Sequence, residues 1–186
     1  TKEVVAANVL NRAFNSSYTG GDGLELCSAA HLNKSGGTWA NELSTAADLS
    51  DTALEQACID IAGFTNDRGL TIKVLPKKLI IPPDLEFEAA RILKSIQQPG
   101  TANNDINAIR VLGKIPQGYA VNHFLTDADA WFLKTDVPDG MKLFQRKPMS
   151  FGTDNDFDTT NAKFKSSERY SVGWSDPRGV FGSPGA

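Results

Sequence analysis

The chain contains few side chains that could do chemistry. Cys27 and His31 lie four residues apart in a weakly patterned segment. A thiol beside an imidazole can form a nucleophile–base pair, but such a pair needs a third group that orients the base. No such group is evident, and His123, the other histidine, lies in a strand-like run beside Phe124. We therefore expect both histidines to be structural.

Three carboxylates alternate near the C-terminus: Asp154, Asp156 and Asp158. Their spacing matches the first three ligands of an EF-hand calcium loop. The glycine that this loop requires is replaced by Thr159, and its bidentate glutamate by Lys165. We expect a solvated turn, with no catalytic, cofactor-binding or metal-binding residues. A metal-dependent hydrolase that uses this aspartate cluster remains the alternative.

Two other motifs are weaker. The run Gly20–Gly23 lacks the lysine and the following Ser or Thr of a phosphate loop, and it follows a predicted helix rather than a strand. Asp127 and Asp129 indicate a turn or a helix start. Aromatic residues such as Trp131, Phe132, Tyr170 and Trp174 lack the interleaved basic residues of a nucleic-acid-binding sheet, so we expect them to pack in a core or an interface.

Composition indicates one folded domain. The 186 residues are 40% apolar and 22% charged, with a net charge of −3. This charge predicts no general affinity for nucleic acid. No apolar run approaches the roughly 18 residues of a membrane span. Two cysteines, Cys27 and Cys58, are too few for a disulfide framework, and we expect reduced thiols in an intracellular product.

Hydrophobic periodicity predicts three helices, at residues 2–14, 50–64 and 84–96. Ser50 is the expected N-cap of the second helix, and Asp84 that of the third. A hydrophobic staple is predicted between Leu49 and Leu54, and the first helix is expected to bury Ala6, Leu10 and Ala13. The predicted buried face of the third helix contains Leu85, Ala89, Ile92, Leu93 and Ile96.

Alternating apolar residues predict strands in the rest of the chain. These cover residues 70–75, 79–81, 109–112, 119–124, 131–135, 143–145 and 163–174. Residues 24–48 read as a long loop anchored by Trp39. Neither face of the last strand is wholly apolar, which favours an edge or an interface. We expect the segment from Asp154 to Ser183 to lie in a sheet and meet other chains.

Several sequence blocks, taken in order, resemble one known family. They are Val9–Phe14 followed by Gly20–Gly23, then Asp67–Leu70, Leu79–Pro82, Gly100–Asn107, Leu125–Leu133 and Asp156–Trp174. Together they span nearly the whole chain and resemble the major capsid proteins of tailed bacteriophages, which have the Hong Kong 97-type fold. No single block is a strict signature, so the resemblance depends on the whole set.

The resemblance implies an α/β (α+β mixed) subunit with a spine helix, a peripheral domain and an axial domain. Residues 1–48 would form the end of the spine helix and an irregular excursion of the peripheral domain. Residues 49–150 would form mainly the axial domain, a helix-flanked sheet, and residues 151–186 a strand that returns to the peripheral domain. The N-terminal arm and the extended loop of the family are expected to be absent from this chain.

The implied function is structural, with no enzymatic turnover and no cofactor. Copies of the chain would assemble into pentamers and hexamers of an icosahedral phage head that encloses double-stranded DNA. Scaffolding, portal and decoration proteins are further expected partners; packaged DNA is expected only as a non-specific neighbour, and no membrane is involved. The expected location is the virion, after assembly in the host bacterial cytoplasm. A monomeric binding module with its site at residues 101–105 is a further alternative.

Overall fold

The computed structural model describes residues 2–98, 105–155 and 158–186. Helices and strands are mixed, as expected: a four-stranded sheet packs against helices, and a long two-stranded ribbon stands apart from it. The helices are α1 (Lys2–Asn11), α2 (Asp51–Ala62), α3 (Glu86–Lys94) and α4 (Ala108–Val111), with 3-10 turns at Pro83–Leu85 and Pro177–Gly179. The strands are β1 (His31–Leu32), β2 (Thr38–Trp39), β3 (Pro76–Ile81), β4 (Tyr119–Val121), β5 (Trp131–Thr135), β6 (Met141–Asn155), β7 (Ala162–Trp174) and β8 (Val180–Ser183).

The central sheet has the strand order β4-β3-β5-β8, with β4 parallel to β3 and the other pairs antiparallel. Side chains along a strand alternate between the two faces, so each strand can bury residues on both sides. Leu79, Ile81 and Trp131 belong to one buried cluster, whereas Ile80 and Phe132 belong to the other. The sheet is therefore covered on both faces.

Helices α2, α3 and α4 cover the first face. The Ser50 side chain accepts a hydrogen bond from the Ala53 amide at 3.2 Å, which confirms the predicted N-cap. Leu49 and Leu54 are both buried, as the staple requires. Local sequence alone therefore sets where α2 begins.

Helix α1 covers the second face, but it is shorter than the predicted 2–14. Leu10 is buried as predicted, whereas Ala7 is buried in place of Ala6. The side chain of Asn11 binds an amide and a carbonyl of the loop that follows β4. Because these contacts come from a distant part of the chain, the sequence pattern did not show the helix end.

The strand predicted at residues 70–75 is wrong. The only pairing there is one isolated bridge between Thr65 and Thr71, within the part of the chain that the structure describes. Val74 is buried and Ile72 is half-buried, so the alternation is real. It arises because a loop packs on the core, not because a strand pairs in the sheet.

The strand predicted at residues 109–112 is also wrong, because this segment is helix α4. Asn107 caps the helix: its side-chain oxygen accepts from the Arg110 amide at 3.2 Å, and its amide donates to the Ile92 carbonyl. A short segment with three apolar residues out of four, as at 109–112, fits a strand or a buried helical turn equally well by periodicity. The Asn107 cap and its hydrogen bond to α3 stabilise the helical conformation.

The position predicted for helix α3 is confirmed, but its predicted N-cap and part of its predicted buried face are not. Leu85 occupies the N-cap position and makes no side-chain cap, so the predicted cap by Asp84 is wrong. Ala89 and Ile92 are buried as predicted. Ile96 is 72% exposed because the helix ends at Lys94, before the turn that would point this side chain inward.

The β-rich half matches the predictions more closely. Strand β5 coincides with residues 131–135, β7 contains the predicted last strand, and residues 143–145 prove to be part of the much longer β6. Trp39 is buried as an anchor, although its segment forms the short hairpin β1–β2. All four residues of β8 are buried inside the molecule, so the C-terminal end lies in a sheet as expected, and its expected contact with other chains stays a prediction.

One buried side chain, Asn41, joins three separate segments of the chain. Its amide nitrogen lies within hydrogen-bond distance of three carbonyls, those of Leu26, Pro177 and Val180, at 2.7, 3.0 and 2.9 Å, and its two N–H groups are shared among them. Its side-chain oxygen accepts from the Ser28 amide at 2.8 Å, and its backbone carbonyl accepts a hydrogen bond from β8. The C-terminal strand is thereby held on the sheet.

We expect Asn41→Ala to lower the free energy of unfolding by roughly 3 kcal/mol or more, since each buried carbonyl left without a donor costs about 1–3 kcal/mol. Urea denaturation followed by tryptophan fluorescence measures the change. Asn161→Ala, at an exposed position, is the control and should stay within about 0.5 kcal/mol of the parent. A loss below about 1 kcal/mol for Asn41→Ala would contradict this role.

Gly182 in β8 lies against two buried side chains. A Cβ at this position would come within 2.8 Å of the Phe132 ring and 3.0 Å of the Cys27 sulfur. We expect Gly182→Ala to destabilise the fold by about 1–3 kcal/mol through overpacking. Gly173→Ala is the matched control, because a Cβ there meets no atom within 4 Å. Equal urea midpoints for the two variants would show that the contact does not matter.

Candidate assembly surface

The Cys27–His31 pair forms no nucleophilic centre. Burial, with the nearby carboxylates of Glu42 and Glu25, raises the pKa of the Cys27 thiol well above its usual range, so the thiolate is not available at neutral pH. His31 is 1% exposed, and its ring nitrogens bond to Asp22 at 2.6 Å and to the Asn41 oxygen at 3.1 Å. These two partners, which the sequence did not reveal, anchor the ring in the core.

The His31 ring is also part of a buried stack. It lies on Trp39 with ring centroids 4.6 Å apart, and the Arg178 guanidinium lies 4.5 Å from the Trp39 ring. Arg178 donates to the Thr65 carbonyl at 2.8 Å and pairs with Asp176 and Asp67 at 3.3 Å. The predicted structural role of His31 thus has a physical basis: its ring packs on Trp39, which in turn contacts Arg178 of the C-terminal segment.

The aspartate cluster is only partly described, because Asp156 lies outside the described residues. Asp154 accepts a hydrogen bond from the following amide at 2.9 Å and opposes Lys163 across the ribbon. Asp127 accepts from the Asp129 amide at 3.1 Å, which confirms a turn there. Over the described part of the chain, no three His, Cys, Asp or Glu side chains are placed to hold a metal ion.

The loop considered for a monomeric binding module also falls mostly outside the described residues. Within residues 101–105, only Asp105 is described, and it is exposed. Its backbone carbonyl accepts a hydrogen bond from the Gln98 amide at 2.9 Å. The binding site proposed for this loop therefore stays a prediction.

The largest feature outside the sheet is the ribbon formed by β6 and β7, of 15 and 13 residues. The two strands pair with each other, and among the described strands neither pairs with the central sheet. Helix α1 lies against β7, where Lys2 forms an ion pair with Glu168 and lies 5.6 Å from the centre of the Tyr170 ring. The helix covers the ribbon from its base to about the middle of β7.

The strand register gives the ribbon an apolar face. Residues that pair across two strands point to the same side, so Phe151, opposite Ser166, shares a face with Phe164, opposite Thr153. Both phenylalanine side chains are 79% exposed. Nearer the base, the same face contains Leu143, Val172 and Trp174 and runs toward α1.

Sequence reasoning missed Phe151 because it ended this strand at residue 145. The sequence does carry a signal: Phe151 and Thr153 alternate with Gly152 and Asp154, as Phe164 and Ser166 alternate with Lys163 and Lys165 on the partner strand. Pro148, together with two irregularities in the register between Gln145 and Ser150, interrupts the pattern.

An open apolar groove of about 570 Å³ lies between α1 and the base of the ribbon. Its lining combines Ala6, Ala7 and Leu10 of α1 with Leu143 and Val172 of the ribbon. Across the described residues, no helix is both long and apolar enough to cross a bilayer. One face of the ribbon and the adjoining groove thus form a continuous apolar surface, a form that suits contact with protein.

Comparisons with known proteins identify the family. A profile of the phage capsid protein family matches residues 1–182. The capsid of Myoviridae phage XM1 has a similar structure, with a TM-score of 0.51 and 12% identity over 100% of this chain and 64% of that chain. The virus-like particle from Pyrococcus furiosus has a TM-score of 0.46 and 15% identity over 98% of this chain and 61% of that one.

The chain thus spans a little over three fifths of the length of these two solved chains. No curated protein shows significant sequence similarity to it. At 12% identity, the likeness to the XM1 capsid shows a shared fold, and the family profile covers nearly the whole sequence. The chain belongs to the phage capsid protein family.

Proposed function

We propose that the chain is a major capsid subunit whose copies assemble into pentamers and hexamers of an icosahedral phage head enclosing double-stranded DNA. Membership of the phage capsid protein family supports a structural role in a virion. The observation that carries the proposal is the exposed apolar face of the β6–β7 ribbon. Two phenylalanines on one face are each 79% exposed, and exposure of such large apolar side chains to water is unfavourable in free energy.

The physics of the ribbon supports contact with another copy. An isolated two-stranded hairpin is marginally stable in water, and it usually needs a third strand or a helix against its apolar face. Helix α1 supplies this support from the base to the middle of the ribbon, where Lys2 pairs with Glu168, but not around Phe151 and Phe164. A neighbouring subunit packed there would complete the structure of the ribbon.

The geometry favours a ring. The apolar end of the ribbon and the groove beside α1 are different surfaces of one chain. If the ribbon of one copy packs on the groove of the next, the contact is head-to-tail, and such contacts close into rings when the rotation permits. Each contact can be weak, because a shell multiplies many of them.

The domain roles are part of the proposal. Residues 1–48 and 151–186 would belong to the peripheral domain, and 49–150 mainly to the axial domain. The packing of α1 on β7 supports grouping the ends of the chain together, and the α2–α3 side of the central sheet suits the axial domain. Because β6 begins at Met141, the ribbon as a unit extends across the proposed boundary at residue 150.

The remaining roles follow from the same proposal. The subunit acts by packing, with no catalytic turnover. Its partners are other copies, together with scaffolding, portal and decoration proteins of the same head. Assembly takes place in the host bacterial cytoplasm, and the product is the virion.

The double variant Phe151→Ser/Phe164→Ser tests the apolar face. We expect self-association to weaken by at least about tenfold, since burial of an aromatic side chain contributes about 1.5–3 kcal/mol. Sedimentation velocity over a concentration series measures this change, and negative-stain microscopy shows whether rings form. Both side chains are exposed in the single chain, so the fold itself should be unaffected.

Phe87→Ser is the matched control, because Phe87 is 76% exposed but lies on α3, away from the ribbon. This variant should associate like the parent. A parent chain that stays monomeric at high concentration would count against the proposed assembly. Equal association of the ribbon variant and the parent would show that assembly uses another surface.

A further inference from the structure

The second face of the ribbon is unusually basic. The strands β6 and β7 contain six Lys or Arg residues and two Asp or Glu, whereas the whole chain contains 19 and 22. The basic residues are Lys142, Arg146, Lys147, Lys163, Lys165 and Arg169. The net charge of −3 therefore conceals a strong local segregation of charge.

The register places most of these cations together. On β7, Lys163, Lys165 and Arg169 alternate with the apolar-face residues and so point to the opposite side, which we call the basic face. Lys147 is paired directly with Arg169, so it shares this face. Lys163 is opposite Asp154, the one acidic residue on this side of the two strands.

The pairing of Lys147 with Arg169 is unfavourable for the isolated chain. Like charges directly opposite in a sheet destabilise it. The Lys147 ammonium donates to the Ser167 hydroxyl at 2.6 Å, which positions it but does not neutralise it. The acidic side chain nearest in sequence, Glu168, points to the other face and forms an ion pair with Lys2. An anion bound between the two cations would remove the repulsion.

The surroundings of these cations match phosphate better than protein. Ser150 and Ser167 lie on the basic face beside them, with hydroxyl oxygens 3.1 Å apart, and Lys165 lies across Gly152, which has no side chain. Lys, Arg and Ser are among the side chains that contact nucleic-acid phosphates. Protein interfaces, in contrast, are poor in lysine and serine and rich in aromatic residues.

The shape of the surface agrees with this chemistry. An open depression of about 670 Å³ at the irregular part of the ribbon is lined by three cations, Arg146, Lys147 and Arg169, together with Ser166, Ser167 and Glu168. All three basic side chains here are exposed. A two-stranded ribbon is one of the two protein elements that fit the major groove of B-DNA.

We propose that the basic face of the β6–β7 ribbon binds the phosphodiester backbone of double-stranded DNA. This inference rests on the proposed function only for the choice of DNA as the polyanion. It departs from the expectation that packaged DNA is merely a non-specific neighbour of the subunit. The ribbon would then meet a neighbouring copy with its apolar face and DNA with its basic face.

The double variant Lys147→Ala/Arg169→Ala tests the proposal. The probe is short double-stranded DNA of random sequence, and fluorescence anisotropy gives the affinity at several salt concentrations. The logarithm of the binding constant falls with the logarithm of salt by about 0.9 for each neutralised phosphate, so the double variant should lose about 2 from this slope. At low salt, we expect its affinity to fall about tenfold or more.

The control is Lys34→Ala/Lys134→Ala, which removes the same charge from two exposed lysines outside the ribbon. We expect it to keep the salt slope of the parent, and circular dichroism should show all variants folded. Equal losses in both double variants would overturn the proposal, because they would reflect net charge alone. Absence of DNA binding by the parent at low salt would overturn it as well.

Self-association of the same variants separates this inference from the proposed function. Without DNA, the basic-face variant should associate like the parent. If it instead loses self-association and keeps its DNA affinity, the basic face contacts an acidic surface of another copy, and the proposal is wrong. A parent chain that binds DNA through this face but never self-associates would support the inference while contradicting the proposed assembly.

Discussion

The buried Asn41 amide is the interaction on which the rest of the structure depends. It binds carbonyls from the segment before the β1–β2 hairpin and from both ends of the turn that leads into β8. Asn41 and Val180 are 139 residues apart in sequence, so no local preference could bring them together. A buried amide whose two N–H groups are shared among three carbonyls also disfavours alternative arrangements, because each would leave polar groups unpaired.

Fixing β8 in the sheet has a consequence for the ribbon. The chain must leave the sheet after β5, turn at Gly140, and return through Ser175 to enter β8. The intervening β6 and β7 are anchored at their base, where the Ser175 amide bonds to the Gly140 carbonyl at 3.0 Å. Beyond that anchor they extend as a pair, with α1 covering one face near the base. The compact body thus supports a projecting element with two exposed faces of different chemistry.

Local sequence patterns predicted the secondary structure correctly where interactions within one segment determine its conformation. The Ser50 cap, the strand at residues 131–135 and the alternation of residues 163–174 were all readable, since a cap, a buried apolar run and a period of two are local properties. The predictions of secondary structure failed where contacts with residues distant in sequence determine the conformation. Residues 70–75 alternate but lack a partner strand, and residues 109–112 form a helix because Asn107 caps it and reaches α3.

The surfaces of the ribbon show the same division. The sequence by itself determined the mixed fold class, the family resemblance and the alternation that separates Phe164 from Lys163 and Lys165, because side-chain period and residue type are written in each strand. Only the tertiary structure decided the pairing register, which places Phe151 on the side of Phe164 and Lys147 opposite Arg169. A shift of one residue would exchange the faces. Register depends on the turn and on two irregularities in β6, which involve both strands at once and are therefore invisible in either strand alone.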